Sequence, residues 1–409
     1  MRKILFTLSC VFLFIVHAIA GSKGSIYTTP GDTLKVINWN LEWFGGSLGP
    51  DDDSLQQENV LKVMLNLNAD VYALIEVVSV TRLQDVVRQM PGYDFVVADF
   101  CSGGSSANSC KSAQKLAFVY RTSKVTKIRE YGVLRFGGSS NAYANWSSGR
   151  FPYLMSADIT LNGVTQRVEF ISVHAKANLP DYIDSYNRRK AGAQELYDSI
   201  RFQYPTSNVI VLGDYNDDLT KTITTQMAPD TTTSWIAFKA DQVNFAAVTL
   251  PLSLSGQRST VSYPTVIDHV VISKDMNRYY VANSAKIFKT EVESWITSYG
   301  TTTSDHYPVQ TKYVWSTTTP VTNEPAPETQ TKLIVGAGEL NVYITHVRYE
   351  KGNVLLLNMN GQVIQQQQVQ LINGTSTLHL NTSQLSAGIY LVRLITSGKA
   401  ETKKIYIYR

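Results

Sequence analysis

Six short segments of this 409-residue chain place acids, amides or imidazoles directly after β-branched runs. Asn40-Leu41-Glu42 closes the run Val36 to Asn40, Glu76 follows Val71 to Ile75, and His174-Ala175-Lys176 follows Glu169 to Val173. Gly213-Asp214-Tyr215-Asn216 follows Val209 to Leu212, and Asp268-His269 and Ser304-Asp305-His306 come later. Carboxylate and amide oxygens suit Mg²⁺ or Mn²⁺. An imidazole beside a carboxylate can accept or release a proton near neutrality. Hydrolysis of a phosphodiester asks for these groups together: a cation against developing charge, a base for water and a donor for the leaving oxygen. Singly, each residue has an ordinary reading, since a polar residue after a strand is commonly a cap or turn residue and a lone His174 can be a satisfied core histidine. The ordered set is harder to explain that way.

Strand ends are where α/β folds build sites. The runs Leu34 to Asn40, Val71 to Ile75, Leu116 to Tyr120, Val168 to Val173, Val209 to Leu212, Val266 to Ser273 and Tyr307 to Val314 read as strands. Leu55 to Leu67 and Tyr182 to Tyr204 have helical spacing. Residues 30–315 therefore read as an α/β domain with sheets inside and helices outside. The Thr/Pro-rich stretch 316–332 reads as an extended linker. Residues 333–409 read as strands only, with turn signals at Lys351-Gly352-Asn353, Asn360-Gly361, Asn373-Gly374 and Ser397-Gly398-Lys399, which predicts a small β-sandwich.

The first 20 residues pair Arg2 and Lys3 with an apolar run and end on Ala18 and Ala20, the pattern of a cleavable export signal; the run is too short for a membrane anchor. Cys101 and Cys110 then sit in an oxidising setting, where a small loop-closing disulfide is expected over a metal site that has no nearby His. The formal charge of +4 is no sign of a polyanionic partner, because residues 21–314 hold 27 Lys+Arg against 28 Asp+Glu. Locally, Lys111, Lys115, Arg121, Lys124, Lys127, Arg129 and Arg135 face only Glu130 in sequence. Such a stretch either tracks phosphates or forms a solvated face.

Asn-Trp-Asn-Leu-Glu-Trp-Phe, Leu-Ile-Glu-Val, Val-His-Ala-Lys, Gly-Asp-Tyr-Asn, Ile-Asp-His-Val and Ser-Asp-His-Tyr-Pro-Val, in this order over about residues 38 to 309, resemble the signatures of the endonuclease/exonuclease/phosphatase superfamily. The resemblance implies a four-layered α/β sandwich of two mixed sheets flanked by helices. It also implies Mg²⁺ as cofactor, with Mn²⁺ or Ca²⁺ as alternatives. Glu76 would be the principal metal ligand, beside Asn40 and Asp305, with Glu42 contributing. Asp214 and Asn216 would orient the attacking water and the phosphate. His306, paired with Asp268, would act as a base or a charge-stabilising group, and His174 would face the leaving oxygen as donor or phosphate ligand. Arg121 and Arg150 are candidate phosphate contacts, with ordinary ion pairs as the alternative. Gln114 stands where pancreatic-type DNases have the acidic partner of the histidine matching His174, and a neutral amide supports a cationic ring less well.

Gly388-Ile389-Tyr390-Leu391-Val392-Arg393 and the lysines after it resemble the C-terminal sorting domain of the type IX secretion system, whose machinery would be the tail's partner; a generic β-domain is the alternative. The chain is expected to be secreted or attached at the outer-membrane surface, to act as a monomer and not to insert stably into a membrane. Export favours an extracellular nucleic acid as substrate, DNA and also RNA, cut by a sequence-tolerant endonuclease. A phospholipase C- or sphingomyelinase-like activity is the second reading, although Asn141 to Trp146 is a short and polar candidate for an inserting hairpin. An inactive surface binding protein is the third, disfavoured because binding alone has no need of Glu76, Asp214 and His306 together.

Overall fold

A computed structural model of the chain describes residues 32–103, 109–315, 329–336, 338–346, 350–359, 361–371, 374–396 and 400–407. The expected export signal, 1–20, lies outside the described residues, as does most of the segment read as linker. Contacts divide the chain into two units, with the division between Thr319 and Pro320.

The larger unit contains twelve strands among its described residues: β1 (Leu34–Phe44), β2 (Val71–Val77), β3 (Tyr93–Val97), β4 (Lys115–Arg121), β5 (Val125–Gly132), β6 (Tyr153–Leu161), β7 (Val164–His174), β8 (Asn208–Asp214), β9 (Phe245–Ala247), β10 (Asp268–Ser273), β11 (Lys286–Ile287) and β12 (Val309–Tyr313). They form two six-stranded sheets, ordered β11-β12-β1-β2-β4-β3 and β5-β6-β7-β8-β10-β9. In each, one central pair is parallel, β1 with β2 and β7 with β8, and the remaining pairs are antiparallel.

Period-two alternation explains the layering. On β1, Leu34 and Val36 join the apolar cluster that also takes β6, β7 and β8 residues, while Ile37, Trp39 and Leu41 point to the other face. There they meet helix α1 (Asp53–Leu67) through Val60, Val63, Met64 and Leu67, and helix α2 (Val80–Arg88) through Leu83 and Val86. Helix α3 (Ala142–Asn145) is short, and helix α4 (Tyr182–Gln203) lays Ala193, Leu196 and Ile200 on the second sheet. The result is the expected four-layered sandwich: helices, sheet, sheet, helices. Asp52 caps α1 by accepting from the amides of Ser54 and Leu55 at 2.9 and 3.0 Å.

The topology gathers the chemistry at one edge. The C-terminal ends of parallel strands lie together, and an antiparallel neighbour begins where they end. Thus Asp214 pairs in register with His174 on one side and Asp268 on the other. Likewise β12 runs back along β1 with Asn38 opposite Val309, so Ser304-Asp305-His306 arrives beside Asn40 to Glu42.

Gly213 makes this edge possible. Its φ is +139°, and a Cβ there would lie 2.1 Å from the carbonyl oxygen of Val173.

The smaller unit is all antiparallel. One sheet has three strands, Thr329–Gly336, Glu339–His346 and Gly374–Asn381; the other has four, ordered Val363–Leu371, Glu350–Leu357, Gly388–Ile395, Ala400–Ile407. Leu340, Val342, Val354, Leu356, Leu378 and Val392 share one core, giving the expected sandwich. Thr329 opens a strand inside the stretch read as linker. The turn expected at Lys351-Gly352-Asn353 is instead strand, and Gly352 is small because Leu371 and Leu394 close over it, at 3.3 and 3.4 Å from where a Cβ would sit. Asn373 and Ser397-Gly398-Lys399 lie outside the described residues, and Gly361, at φ +79°, is the turn residue the sequence suggests. Among the described residues no helix is long and apolar enough to cross a membrane.

Gly213→Ala is expected to lower unfolding stability by about 3 kcal/mol or more, since strain at positive φ adds to a backbone clash. A loss under about 1 kcal/mol in chemical denaturation would show that the β7–β8 pair can shift to admit a methyl group.

Candidate active site

Glu76, His174 and Asp214 converge. One ligand atom from each lies within 4.8 Å of the others. The His174 Nε2 sits 3.5 Å from Glu76 Oε1 and 3.5 Å from Asp214 Oδ2. Asn40 braces the two acids, its Nδ2 donating to Glu76 Oε1 at 3.0 Å and Asp214 Oδ2 at 3.2 Å. Its Oδ1 accepts from the Glu42 amide at 3.0 Å, so Asn40 lies among the candidate ligands and fixes their positions.

The end of β1 is irregular. Glu42 and Trp43 have φ of +49° and +51°, and the β1–β2 register shifts between Asn40 and Phe44, so simple alternation does not carry Glu42 onto the face of Asn40. The bend brings the Trp43 amide to Glu76 Oε2 at 3.0 Å. Glu76 at φ +63° and Asn216 at +49° share this left-handed backbone, which is unusual away from glycine and gathers at functional sites. Asn216 returns its own amide to Asp214 Oδ1 at 2.8 Å and its Nδ2 to the Ala175 carbonyl at 3.2 Å.

On the other side of Asp214, His306 donates from Nδ1 to Asp268 Oδ2 at 2.8 Å. Its free Nε2 then faces Asp305 Oδ1 at 3.8 Å and Asp214 Oδ2 at 4.0 Å. Asp305 is half-exposed, and its amide donates to Glu42 Oε2 at 2.9 Å, so Glu42 and Asp305 form the rim beside His306.

Burial sets the electrostatics. It raises the carboxyl of Glu76, and it pushes Asp214 up to about 7 with help from Asp268 and Glu76, against His306. It also pushes Glu42 up to about 7, with Asp305 adding to the effect. The imidazoles are driven apart. Burial, Arg150 and His306 hold His174 well below the usual histidine range. For His306 burial is outweighed by Asp268, Asp305 and Asp214, which hold it well above. Acids that gain protons when desolvated, with a neutral imidazole among them, are a donor set a divalent cation fits.

Arg150 is 6% exposed and spent inside the protein. Its Nε donates to the His174 carbonyl at 3.0 Å, its Nη2 to the Ala175 carbonyl at 3.1 Å and its Nη1 to Gln114 Oε1 at 2.6 Å. It fixes the strand end that carries His174. The same bond corrects Gln114, which serves Arg150 and leaves the buried His174 Nδ1 without a partner. Arg121 lies at the opposite end of its sheet, bonded to Asp70 at 3.0 Å, because Tyr120 pairs with Val71 at the start of β2 whereas Glu76 ends that strand. The basic stretch around it is largely neutralised: Lys124 meets Asp32 and Asp70, Lys127 meets Glu130, and Arg135 meets Asp99. Lys115 is buried on the carbonyls of Cys110 and Ala113. A phosphate-tracking face is therefore not what these residues build. Trp146 is buried edge-on against Trp235, so the segment from Asn141 is no inserting hairpin. Cys101 and Cys110 form the expected disulfide.

Gln56 escaped the sequence reading. Its Nε2 donates to the carbonyls of Leu41, Glu42 and Thr303, at 2.8, 3.0 and 3.1 Å, and so ties the irregular end of β1 to the loop carrying Asp305 and His306. The signal was a polar residue on the stripe of Val60, Val63 and Leu67.

Two family models match the chain: Endonuclease/Exonuclease/phosphatase family over residues 37–306, and Secretion system C-terminal sorting domain over 337–408. No curated protein matches in sequence. Solved structures with a similar fold include the human Nocturnin catalytic domain with bound sulfate anion, at 16% identity, covering 69% of this chain and 95% of that one with a TM-score of 0.48. They also include D. rerio TDP2 complexed with single strand DNA product, at 15% identity, 69% and 100% coverage and a TM-score of 0.48. A Bacteroides thetaiotaomicron mannosyl-6-phosphatase is similar at 15% identity, 69% and 100% coverage and a TM-score of 0.42. The tail marks the chain as exported by the type IX system, hence secreted or attached at the cell surface.

Arg150→Met should lower stability by about 2–4 kcal/mol, because it strands buried carbonyls and an amide, while Arg121→Met should leave the rate of phosphoester hydrolysis within about twofold. Denaturation and steady-state rates on the two variants check this; a fully stable Arg150→Met protein with a raised KM would return Arg150 to the phosphate.

Proposed function

We propose, for a chain that belongs to the endonuclease/exonuclease/phosphatase family, a secreted divalent-metal-dependent phosphodiesterase that hydrolyses extracellular nucleic acid without strong sequence preference. The observation that carries the reading is the convergence of Glu76, His174 and Asp214 beside the His306–Asp268 pair. Glu76, Asp214 and His174 would hold the cation, with Asp305 and Glu42 at the rim. The ion, Mg²⁺ or Mn²⁺, would neutralise charge developing on the phosphoryl oxygens.

The chain's own groups have separable tasks. Asp214, fixed by Asn40 and by the Asn216 amide, would orient the attacking water. Asp268 accepts from His306 Nδ1 and favours the cationic ring, so that Nε2–H would present a donor and a charge to the phosphate. His174, kept neutral, serves as ligand or hydrogen-bond donor and not as a strong acid. Export supports an extracellular substrate.

Plasmid DNA, RNA and sphingomyelin, each with Mg²⁺ and with chelator, separate the candidate activities. Nucleic acid should be cut only with the ion. Glu76→Gln and His306→Ala should each lower the rate by about 100-fold or more; Glu76→Gln should leave the denaturation midpoint nearly unchanged, while His306→Ala, which strands the buried Asp268, should lower it. Calorimetric titration should show Mn²⁺ binding weakened in Glu76→Gln alone. Lipid cleavage without nucleic-acid cleavage would replace the substrate, and a near-normal rate in either variant would move the site.

A further inference from the structure

Beside Asn216 lies a cavity of about 340 Å³ that the catalytic groups do not use. Four segments wall it: 177–179, Asn216, 221–225 and 263–267. Its faces are mostly apolar, through Leu179, Ile223, Tyr263 and Ile267, with Lys221 at the edge. Leu179 and Tyr263 remain 53% and 61% exposed, which is unusual for large apolar side chains flanking one cavity.

The walls are built rigidly. Arg189, 1% exposed, donates from Nη2 to Thr224 Oγ1 at 2.7 Å and from Nη1 to the Lys176 carbonyl at 3.0 Å. Thr224 in turn donates to Asn178 Oδ1 at 2.7 Å. The buried carboxylate of Asp217 accepts from the Ile223 amide at 2.7 Å and the Ser234 amide at 2.8 Å, which fixes the second wall. This outlay of buried polar groups on a surface loop holds a preformed shape.

Asn216 belongs to both the cavity and the catalytic cluster, through its bonds to Asp214. On that reading, a group filling the cavity would lie next to the phosphate being cleaved. Apolar faces with a tyrosine ring suit a flat ring system, while Lys221 and Asn178 in the lining suit its heteroatoms. An acyl chain would leave those polar groups unanswered, and a bare sugar would leave the apolar faces unanswered. The volume, near the low end of the roughly 300–1,000 Å³ of small-molecule sites, takes one nucleoside and not a base pair.

We propose, resting on the nucleic-acid reading above, that this cavity is a nucleobase subsite that admits the single unpaired base next to the scissile phosphate. The protein then selects unpaired strands, because a paired base would first have to leave its stack.

The test uses the full chain on three DNA oligonucleotides of one sequence: single-stranded, fully paired, and single-stranded with one stable abasic residue moved across the cut position. The single strand should be cut at least about tenfold faster than the duplex. An abasic residue at one position next to the cut should lower kcat/KM about tenfold, in line with the value of one stacked base. Tyr263→Ala should impose the same loss on the intact strand and none on the abasic one, whereas Tyr263→Phe should behave as the parent. The Tyr263 side chain is exposed and only its backbone is bonded, to Thr260, so the substitution spares the fold. Equal rates with and without the base, or on duplex and single strand, would overturn the subsite while leaving the nuclease reading intact. Absence of cutting on every oligonucleotide would instead overturn that reading and the subsite with it, and slowed sphingomyelin hydrolysis in Tyr263→Ala would give the cavity to lipid.

Discussion

Burial of three carboxylates at one end of the seam between two sheets is the constraint on which the rest depends. An isolated carboxylate moved into a protein interior costs several kcal/mol or takes up a proton. Glu76, Asp214 and Asp268 are close enough to worsen one another's burial, so each needs its own compensation. Asn40 serves two of them, the Trp43 and Asn216 amides serve one each, and His306 neutralises Asp268. Four residues in left-handed backbone, Glu42, Trp43, Glu76 and Asn216, are needed to aim those donors. At about 1–3 kcal/mol each, such strain persists only where the surrounding fold overdetermines it. The two sheets, locked face to face by one continuous apolar cluster, provide that.

The same constraint explains why two histidines in one site behave in opposite ways. His174 meets a buried guanidinium through its own carbonyl and has no acid on Nδ1; His306 has Asp268 on Nδ1 and two more carboxylates around Nε2. Desolvation lowers both, so the neighbours decide. One ring is left neutral as a ligand or donor, and the other is left cationic. Exchanging Gln114 for an acid would pair a carboxylate with the Arg150 guanidinium and tighten its grip on the strand end.

The sequence made the fold and the catalytic cluster legible to unequal degrees. Six polar signatures at strand ends foretold which residues meet, because topology alone brings parallel C-termini and antiparallel N-termini to one edge. Strands β3, β5, β6, β9 and β11 were not foretold: all but β6 lie at sheet edges, β5 is half-exposed and polar so that its alternation is weak, and β9 and β11 span only three and two residues. Roles were harder to read than positions. Residue type says nothing of which carbonyls lie within reach of Arg150, and the direction of the Asn40 amide is set by its neighbours, so neither set of hydrogen bonds was legible. The basic stretch misled for a further reason: its counterions, Asp32, Asp70 and Asp99, are distant in sequence and come to it only through the sheet.

That neutralisation bears on how a polyanion could be held. Affinity from phosphate tracking requires unpaired cations in a row, and its signature is a steep fall with salt. Here the lysines and arginines from 115 to 135 are largely committed to acids, carbonyls or rings, and the unit as a whole is close to neutral. On the proposed nuclease reading, recognition comes from short-range groups at the site itself: His306, the walled cavity beside Asn216 and the cation that the acids would hold. A protein built this way gains little from a long duplex and much from one well-placed nucleotide. On that reading, exposure of the base, more than length of the strand, governs which phosphodiester is cut.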